Sequence, residues 1–195
     1  MLIDITQELF HCRVFPGDIP PEKLRLQSME DGDDCNLTGF KMCAHNGTHV
    51  DAPLHFVRDG KSIDRMGLEP FVGDCFVARH EGDVLAGDAG KILKRAGEAG
   101  AARRILIAGD ATVTEEAARV FAAAELLLLG NESQTVGPVD APMNVHLILL
   151  GKGCVLLEGV VLDGVEEGRY FLSAAPLNLG GCEGAPCRAY LIPQS

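Results

Sequence analysis

Arg104-Ile105-Leu106-Ile107-Ala108, residues 112–124 and Leu126-Leu127-Leu128-Leu129 together set the fold class. The first run is short, apolar throughout and rich in isoleucine, as in a strand buried on both faces. The second has apolar residues at helical spacing, and Thr112 with Glu115 three residues on forms the pattern of a capping box. The third again reads as a buried strand. Upstream, residues 71–79 read as a strand and 86–99 as a helix ended by Gly100. Downstream, Asp140 is placed to cap a helix over 141–151, followed by strands at 155–162, 170–174 and 188–192. Strand, helix, strand, helix, strand predicts an α/β domain with parallel pairing. The flanks, including 1–5 and the loosely alternating 37–44, are strand-rich, so the sheet is expected to be mixed.

No linker, repeat or low-complexity tract divides the 195 residues, a length that suits one domain with a proper core. Apolar residues make up 47% and charged residues 23%, within the range of globular proteins. The formal net charge of −11 repels phosphate backbones and anionic lipid, which argues against nucleic acid and membrane partners. The apolar runs are too short to span a bilayer, and the first residues lack the basic-then-apolar pattern of a signal peptide. Seven cysteines, at 12, 35, 43, 75, 154, 182 and 187, are an odd number without a Cys-x-x-Cys pair. Reduced, mostly buried thiols in a cytoplasmic protein are the expectation. Cys182 and Cys187 have no further Cys or His nearby to complete a metal site.

The chemistry concentrates in His45-Asn46-Gly47-Thr48-His49-Val50-Asp51-Ala52-Pro53-Leu54-His55, which holds three of the six histidines. Imidazoles four apart converge if the backbone between them makes a helical turn, and Gly47 makes an unusual backbone cheap there. His45, His49 and Asp51 would then face one point, a donor set suited to zinc or another first-row divalent ion. The competing reading is a polar surface loop. Two distant residues bear on the choice. Glu158 lies in a run from Cys154 to Leu162 apolar enough to be buried, where a lone carboxylate is costly unless protonated, hydrogen-bonded or cation-bound. His146 lies in Met143-Asn144-Val145-His146-Leu147-Ile148-Leu149-Leu150, apolar nearly all round and so expected inside. Asp51 could bridge two ions, one on His45 and His49, the other on His146 and Glu158. His55, beyond Pro53, is either a third histidine ligand or an unligated group placed to move protons.

His45-x-Gly47-Thr48-His49-x-Asp51-Ala52-Pro53-x-His55 resembles the signature of the cyclase family, which includes bacterial kynurenine formamidase and isatin hydrolase. The likeness extends to Leu2-Ile3-Asp4-Ile5-Thr6, to Pro16-Gly17-Asp18, to 56–64, and to Leu156-Leu157-Glu158-Gly159 and Pro186-Cys187-Arg188-Ala189. It implies a swivelling β/β/α domain over residues 1–195. It also implies a first metal on His45, His49 and Asp51, a second on Asp51, His146 and Glu158, and His55 as acid/base. Zn²⁺, one or two per chain, is the expected cofactor, with Mn²⁺ as the alternative. Expected partners are a small amide, imide or lactone and further copies of the chain in a homodimer or homotetramer. Kynurenine formamidases carry a tryptophan before Pro-Gly-Asp, where this chain has Phe15, and their Asp-x-x-Ser-Val-Asp loop is replaced by 130–140 here. Competing functions are a non-haem iron oxygenase on His49, Asp51 and His146, which leaves His45 and Glu158 unused, and a non-catalytic metal-binding protein. A Gly-x-Ser-x-Gly nucleophile elbow is absent from the sequence.

Overall fold

The computed structural model describes residues 1–194, and Ser195 lies outside the described residues. In chain order the strands are β1 (Ile3–Asp4), β2 (Glu22–Gln27), β3 (Leu37–Lys41), β4 (His49–Asp51), β5 (Val72–Arg79), β6 (Gly82–Val84), β7 (Arg104–Ala108), β8 (Ala111–Val113), β9 (Leu128–Asn131), β10 (Val155–Glu158), β11 (Gly168–Ser173), β12 (Gly184–Pro186) and β13 (Tyr190–Pro193). The α-helices are α1 (Ala86–Glu98), α2 (Glu115–Ala123) and α3 (Met143–Leu150). Nine strands form one mixed sheet in the order β1-β13-β11-β5-β7-β9-β10-β4-β12. Its centre, β5-β7-β9-β10, is parallel. The strands on either side of that centre pair antiparallel. β2 and β3 form a separate hairpin, and β6 and β8 a short parallel pair. The α/β class and the mixed sheet are as the sequence predicts.

The central strands are apolar on both faces because each face has its own core. Ile105 and Ile107 of β7 pack towards the helices, with Phe121 of α2 and Leu149 of α3. Leu106 and Ala108, one residue out of phase, pack with Val50, Leu172 and Leu191 from the antiparallel wings. The wings thus supply the second layer without extra helices, which requires the sheet to curl. Past its ends the sheet draws together: Thr6 bridges to Val160, and the Val161 amide donates to the Ile5 carbonyl at 2.9 Å. Arg104, at the start of β7, is buried and donates to the main-chain carbonyls of Glu69, Pro70 and Asp74.

Several boundaries differ from expectation for local reasons. The cap of α2 is Thr114, whose Oγ1 accepts from the Ala117 amide, while Thr112 is committed to pairing with Asp83 in β8. Helix α3 starts at Met143 after Pro142 and not from Asp140, because residues 138–141 form their own turn through Ala141 N–H to the Pro138 carbonyl. It is not apolar-buried all round either: Val145, His146, Leu149 and Leu150 face inward, whereas Met143 and Leu147 are exposed. The third leucine-rich strand begins at Leu128, since the Leu127 amide is held by the Arg103 carbonyl outside the ladder. Strand β10 stops at Glu158 because Gly159 turns left-handed at φ +67°. The last strand starts two residues late, at Tyr190, where it meets Asp4 and Ser173. All seven cysteines are free, but only Cys75 and Cys154 are buried. Cys12, Cys43, Cys182 and Cys187 lie in partly covered loops and edges, and Cys35 is exposed just before β3. Among the described residues, no helix is long and apolar enough to cross a membrane.

Candidate metal centre

Period-two geometry, not a helical turn, gathers the first donors. His49 and Asp51 lie on β4 two residues apart, so both side chains project from one face while Val50 enters the core behind. The short strand is clamped between β10 and β12. In the β4–β10 register Glu158 stands directly opposite His49, so the buried carboxylate arrives as a cross-strand neighbour of the imidazole. His45 reaches the same point from the loop before β4, which bends back through Gly47 at φ +65°. Its ring meets that of His49 edge-on, with centroids 5.1 Å apart. His146 comes from the inward face of α3. The cluster thus sits beyond the carboxyl ends of the parallel strands β9 and β10, the usual place for a site in an α/β sheet.

The histidines are held in fixed orientations. His49 Nδ1 donates to the Gly47 carbonyl and His146 Nδ1 to the Pro142 carbonyl, each at 2.9 Å. Their Nε2 atoms therefore turn inward, towards the carboxylates. His49 Nε2 lies 3.5 Å from Asp51 Oδ1 and 3.4 Å from Glu158 Oε2. His146 Nε2 lies 3.5 Å from Asp51 Oδ2 and 3.2 Å from Glu158 Oε1. His45 Nδ1 is 2.8 Å from Asp51 Oδ1. Two groups of three donors result, His45/His49/Asp51 and Asp51/His146/Glu158, each with its ligating atoms within 4.8 Å of one another. Asp51 belongs to both. The structure brings His45, His49, Asp51, His146 and Glu158 together in these two groups, and Cys182 and Cys187 enter neither.

The electrostatics fit a cation. Burial works against charging His45 and His146, yet the carboxylates beside them lift the rings to about 9 and about 10. Burial likewise opposes ionisation of Asp51, but the His146 and His45 rings beside it hold it well below the usual carboxylate range. Glu158 is opposed by burial and by Asp51, and hydrogen bonds with His146 and His49 still bring it below its ordinary value. Oxygen Oδ2 of Asp51 is fully buried and has no hydrogen-bond donor. An unpartnered buried carboxylate oxygen is expensive, and a divalent ion is the partner that this surrounding of nitrogens and carboxylates can hold.

His55 ends a single 3₁₀ turn, Pro53–His55, and belongs to neither donor group. Its Nε2 is 4.0 Å from Asp51 Oδ2, and its ring stacks on His45 with centroids 4.1 Å apart. Burial pushes this ring below the ordinary imidazole value. Phe15, Asp18, Phe56, His55 and, from the loop after β9, Gln134 and Thr135 line a cavity of about 190 Å³ over the cluster. Behind it lies a knot of hydrogen bonds. Gln134 Nε2 donates to the Gly47 carbonyl at 3.0 Å, and Thr48 Oγ1 and Gln7 Nε2 donate to the Gly159 carbonyl at 2.6 and 2.7 Å. A Cβ on Gly159 would lie 2.3 Å from Gln134 Oε1 and 2.4 Å from the Gly47 carbonyl oxygen. The sequence reading missed Gln7, Gln134 and Glu183, since isolated glutamines and a surface-type glutamate carry no local pattern.

The profile of a family described as "Putative cyclase" matches residues 3–137, and that span holds the loop and strand carrying His45, His49, Asp51 and His55. The chain belongs to this cyclase family. Full-length relatives carry the likeness on past His146 and Glu158. The kynurenine formamidase of Salinibacter ruber (strain DSM 13855 / M31) is 32% identical over 204 residues, covering 97% of this chain and 96% of the relative. Among solved structures, a "potential metal-dependent hydrolase with cyclase activity" matches this cyclase-family chain with a TM-score of 0.84 at 25% identity, covering all of it and 98% of that protein. Isatin hydrolase A of Labrenzia aggregata, bound to benzyl benzoate, matches in fold with a TM-score of 0.79 at 22% identity, over 100% and 94% of the two chains.

Proposed function

We propose that this cyclase-family chain is a single-domain, metal-dependent hydrolase that cleaves an amide-type C–N bond in a small molecule, as its formamidase relatives are named for doing. The observation that carries the reading is Asp51, fully buried, shared by two donor groups and left with one oxygen unpartnered. His45 Nδ1, His49 Nε2 and Asp51 would hold one ion, and Asp51, His146 Nε2 and Glu158 a second. Three imidazoles with two carboxylates and no thiolate favour zinc, with manganese next. The oxygenase reading needs only two histidines and one carboxylate, and leaves His45 and Glu158 without a purpose although both point into the cluster.

When bound, such an ion lowers the pKa of water from about 15.7 towards 7 and polarises a carbonyl oxygen. This chain's residues supply the rest. His55, neutral because burial depresses it, accepts a proton through Nε2 and returns it to the departing nitrogen. The stack on His45 and the edge contact with Phe56 hold its ring at the cavity wall. Phe15 and Phe56 exclude water and offer flat apolar surface to the substrate. A cavity of about 190 Å³ is below the ~300–1,000 Å³ usual for drug-sized ligands, so the substrate is a small amide or the scissile end of a larger one.

Metal analysis of the purified chain, followed by a turnover screen of formamides, cyclic imides and lactones, tests the reading. Bound zinc or manganese with turnover on a formamide or cyclic amide is expected. Turnover confined to lactones would move the cleaved bond to C–O, and metal without turnover on any of the three classes would leave a binding protein.

A further inference from the structure

His45 differs from the other candidate ligands in the nitrogen it turns inward. His49 and His146 present Nε2 and donate Nδ1–H to main-chain carbonyls. His45 presents Nδ1, 2.8 Å from Asp51 Oδ1, and its outward Nε2 lies 3.2 Å from Glu183 Oε1. Turning the ring over about its Cβ–Cγ bond would set carbon against both carboxylates, so the two acids fix its orientation.

Glu183 and the residue after it form a seat for this ring. The Glu183 carbonyl accepts from the Ala52 amide at 2.8 Å, and Gly184 pairs with Asp51 at the start of β12. This anchors both residues to the metal-binding strand. A Cβ on Gly184 would lie 2.8 Å from His45 Cε1 and 2.8 Å from the Val50 carbonyl oxygen, distances that real Cβ atoms do not adopt. Gly184 leaves the space into which the ring fits, and Glu183 holds its far nitrogen.

We propose that Glu183 is a positioning residue for the His45/His49/Asp51 ion. Its carboxylate accepts Nε2–H of His45, which selects the tautomer whose Nδ1 lone pair faces the ion and raises the basicity of that nitrogen. A carboxylate behind a ligating histidine is a general device, and its removal typically costs about 10–100-fold in metal affinity. An ion held by Asp51, His146 and Glu158 would have no donor against the Glu183 carboxylate and would keep its affinity. The inference rests on the metal-binding reading above.

The test is a zinc titration of the full chain in competition with a chromophoric chelator, on wild type, Glu183→Ala, Glu183→Gln, Gly184→Ala and His49→Ala. Long-range ¹H–¹⁵N spectra of the zinc-loaded wild type accompany it. Glu183→Ala should weaken one class of zinc about 10–100-fold and leave any second class unchanged. Glu183→Gln should fall between, since the amide oxygen still accepts Nε2–H without the charge. Gly184→Ala should weaken the same class by displacing the ring. In the spectra His45 should carry its proton on Nε2, and His49 and His146 on Nδ1. Wild-type affinity in Glu183→Ala, equal weakening of both classes, or a zinc-bound His45 protonated on Nδ1 would each overturn the role of Glu183. Failure of the wild type to take up zinc, or full uptake by His49→Ala, would overturn the metal reading and this inference with it.

Discussion

The two donor groups that meet at Asp51 are built in opposite ways. His45, His49 and Asp51 come from seven consecutive residues, and the group lies near the rim, with the His45 side chain 11% exposed and backed by a half-exposed glutamate. Asp51, His146 and Glu158 come from three distant segments, and their side chains are at most 3% exposed. A rim group can be written as a local motif and adjusted by single surface residues. An inner group needs a sheet register and a docked helix, so it is fixed by the fold as a whole. An ion held by the rim group would therefore exchange faster, and one held by the inner group would be the one that stabilises the protein by binding only its folded state.

Replacing the shared residue should have the largest effect. Asp51→Ala is expected to lose both ions and all measurable turnover. Metal analysis showing one ion retained would mean that the two groups do not depend on a common oxygen donor. Next comes His55→Ala, expected to keep the metal content and lose turnover by about 10²–10⁴, the range for removing a general acid or base. If it sheds metal as His49→Ala does, His55 belongs to the rim group as a ligand. Smaller, and aimed at the contrast itself, is the pair His45→Ala and His146→Ala. Each should lose one ion, but only His146→Ala should also abolish the metal-dependent gain in melting temperature, read by calorimetry with and without added zinc. Equal losses would erase the distinction between rim and fold-determined groups.

The smallest effect is expected at the thiols. Burial pushes Cys75 and Cys154 up to about 12, so both stay protonated and unreactive in the native protein at pH 8, with or without metal. Thiol titration should find all seven only after denaturation. A change in the native reactivity of these two on metal removal would show that the inner group reaches further into the core than its contacts indicate.

Legibility in the sequence followed the same divide. The rim donors were readable from spacing and from the family resemblance, although the segment from His45 to His49 is a loop bent through Gly47 and not a helical turn, and His49–Asp51 is a strand. His-Val-Asp is too short to mark a strand and contains a poor strand former in Asp51, so pairing with β10 and β12 is what makes it one. Glu158 and His146 were visible as anomalies of burial, but their register with His49 is a non-local fact. Strand β7 and helix α1 were legible because their periodicity and caps are self-contained. The cap at Thr114 was misplaced at Thr112 because both threonines precede the same helix, and a tertiary pairing with Asp83 decides between them. Glu183 was invisible, being one half-exposed glutamate among many acidic residues until β12 sets it behind His45.

The knot behind the site has a consequence for the order in which the molecule is made. Gln7 bonds across 127 residues to Gln134 and across 152 to Gly159, and Thr6 across 183 to Ala189. The strand bearing His49 and Asp51 is synthesised long before one of the two strands that clamp it, Gly184–Pro186. Contacts of such sequence separation carry a large loop-closure entropy and form slowly. During translation the rim donors are therefore an unpaired, histidine-rich peptide until the distant strand that completes their surroundings has been made.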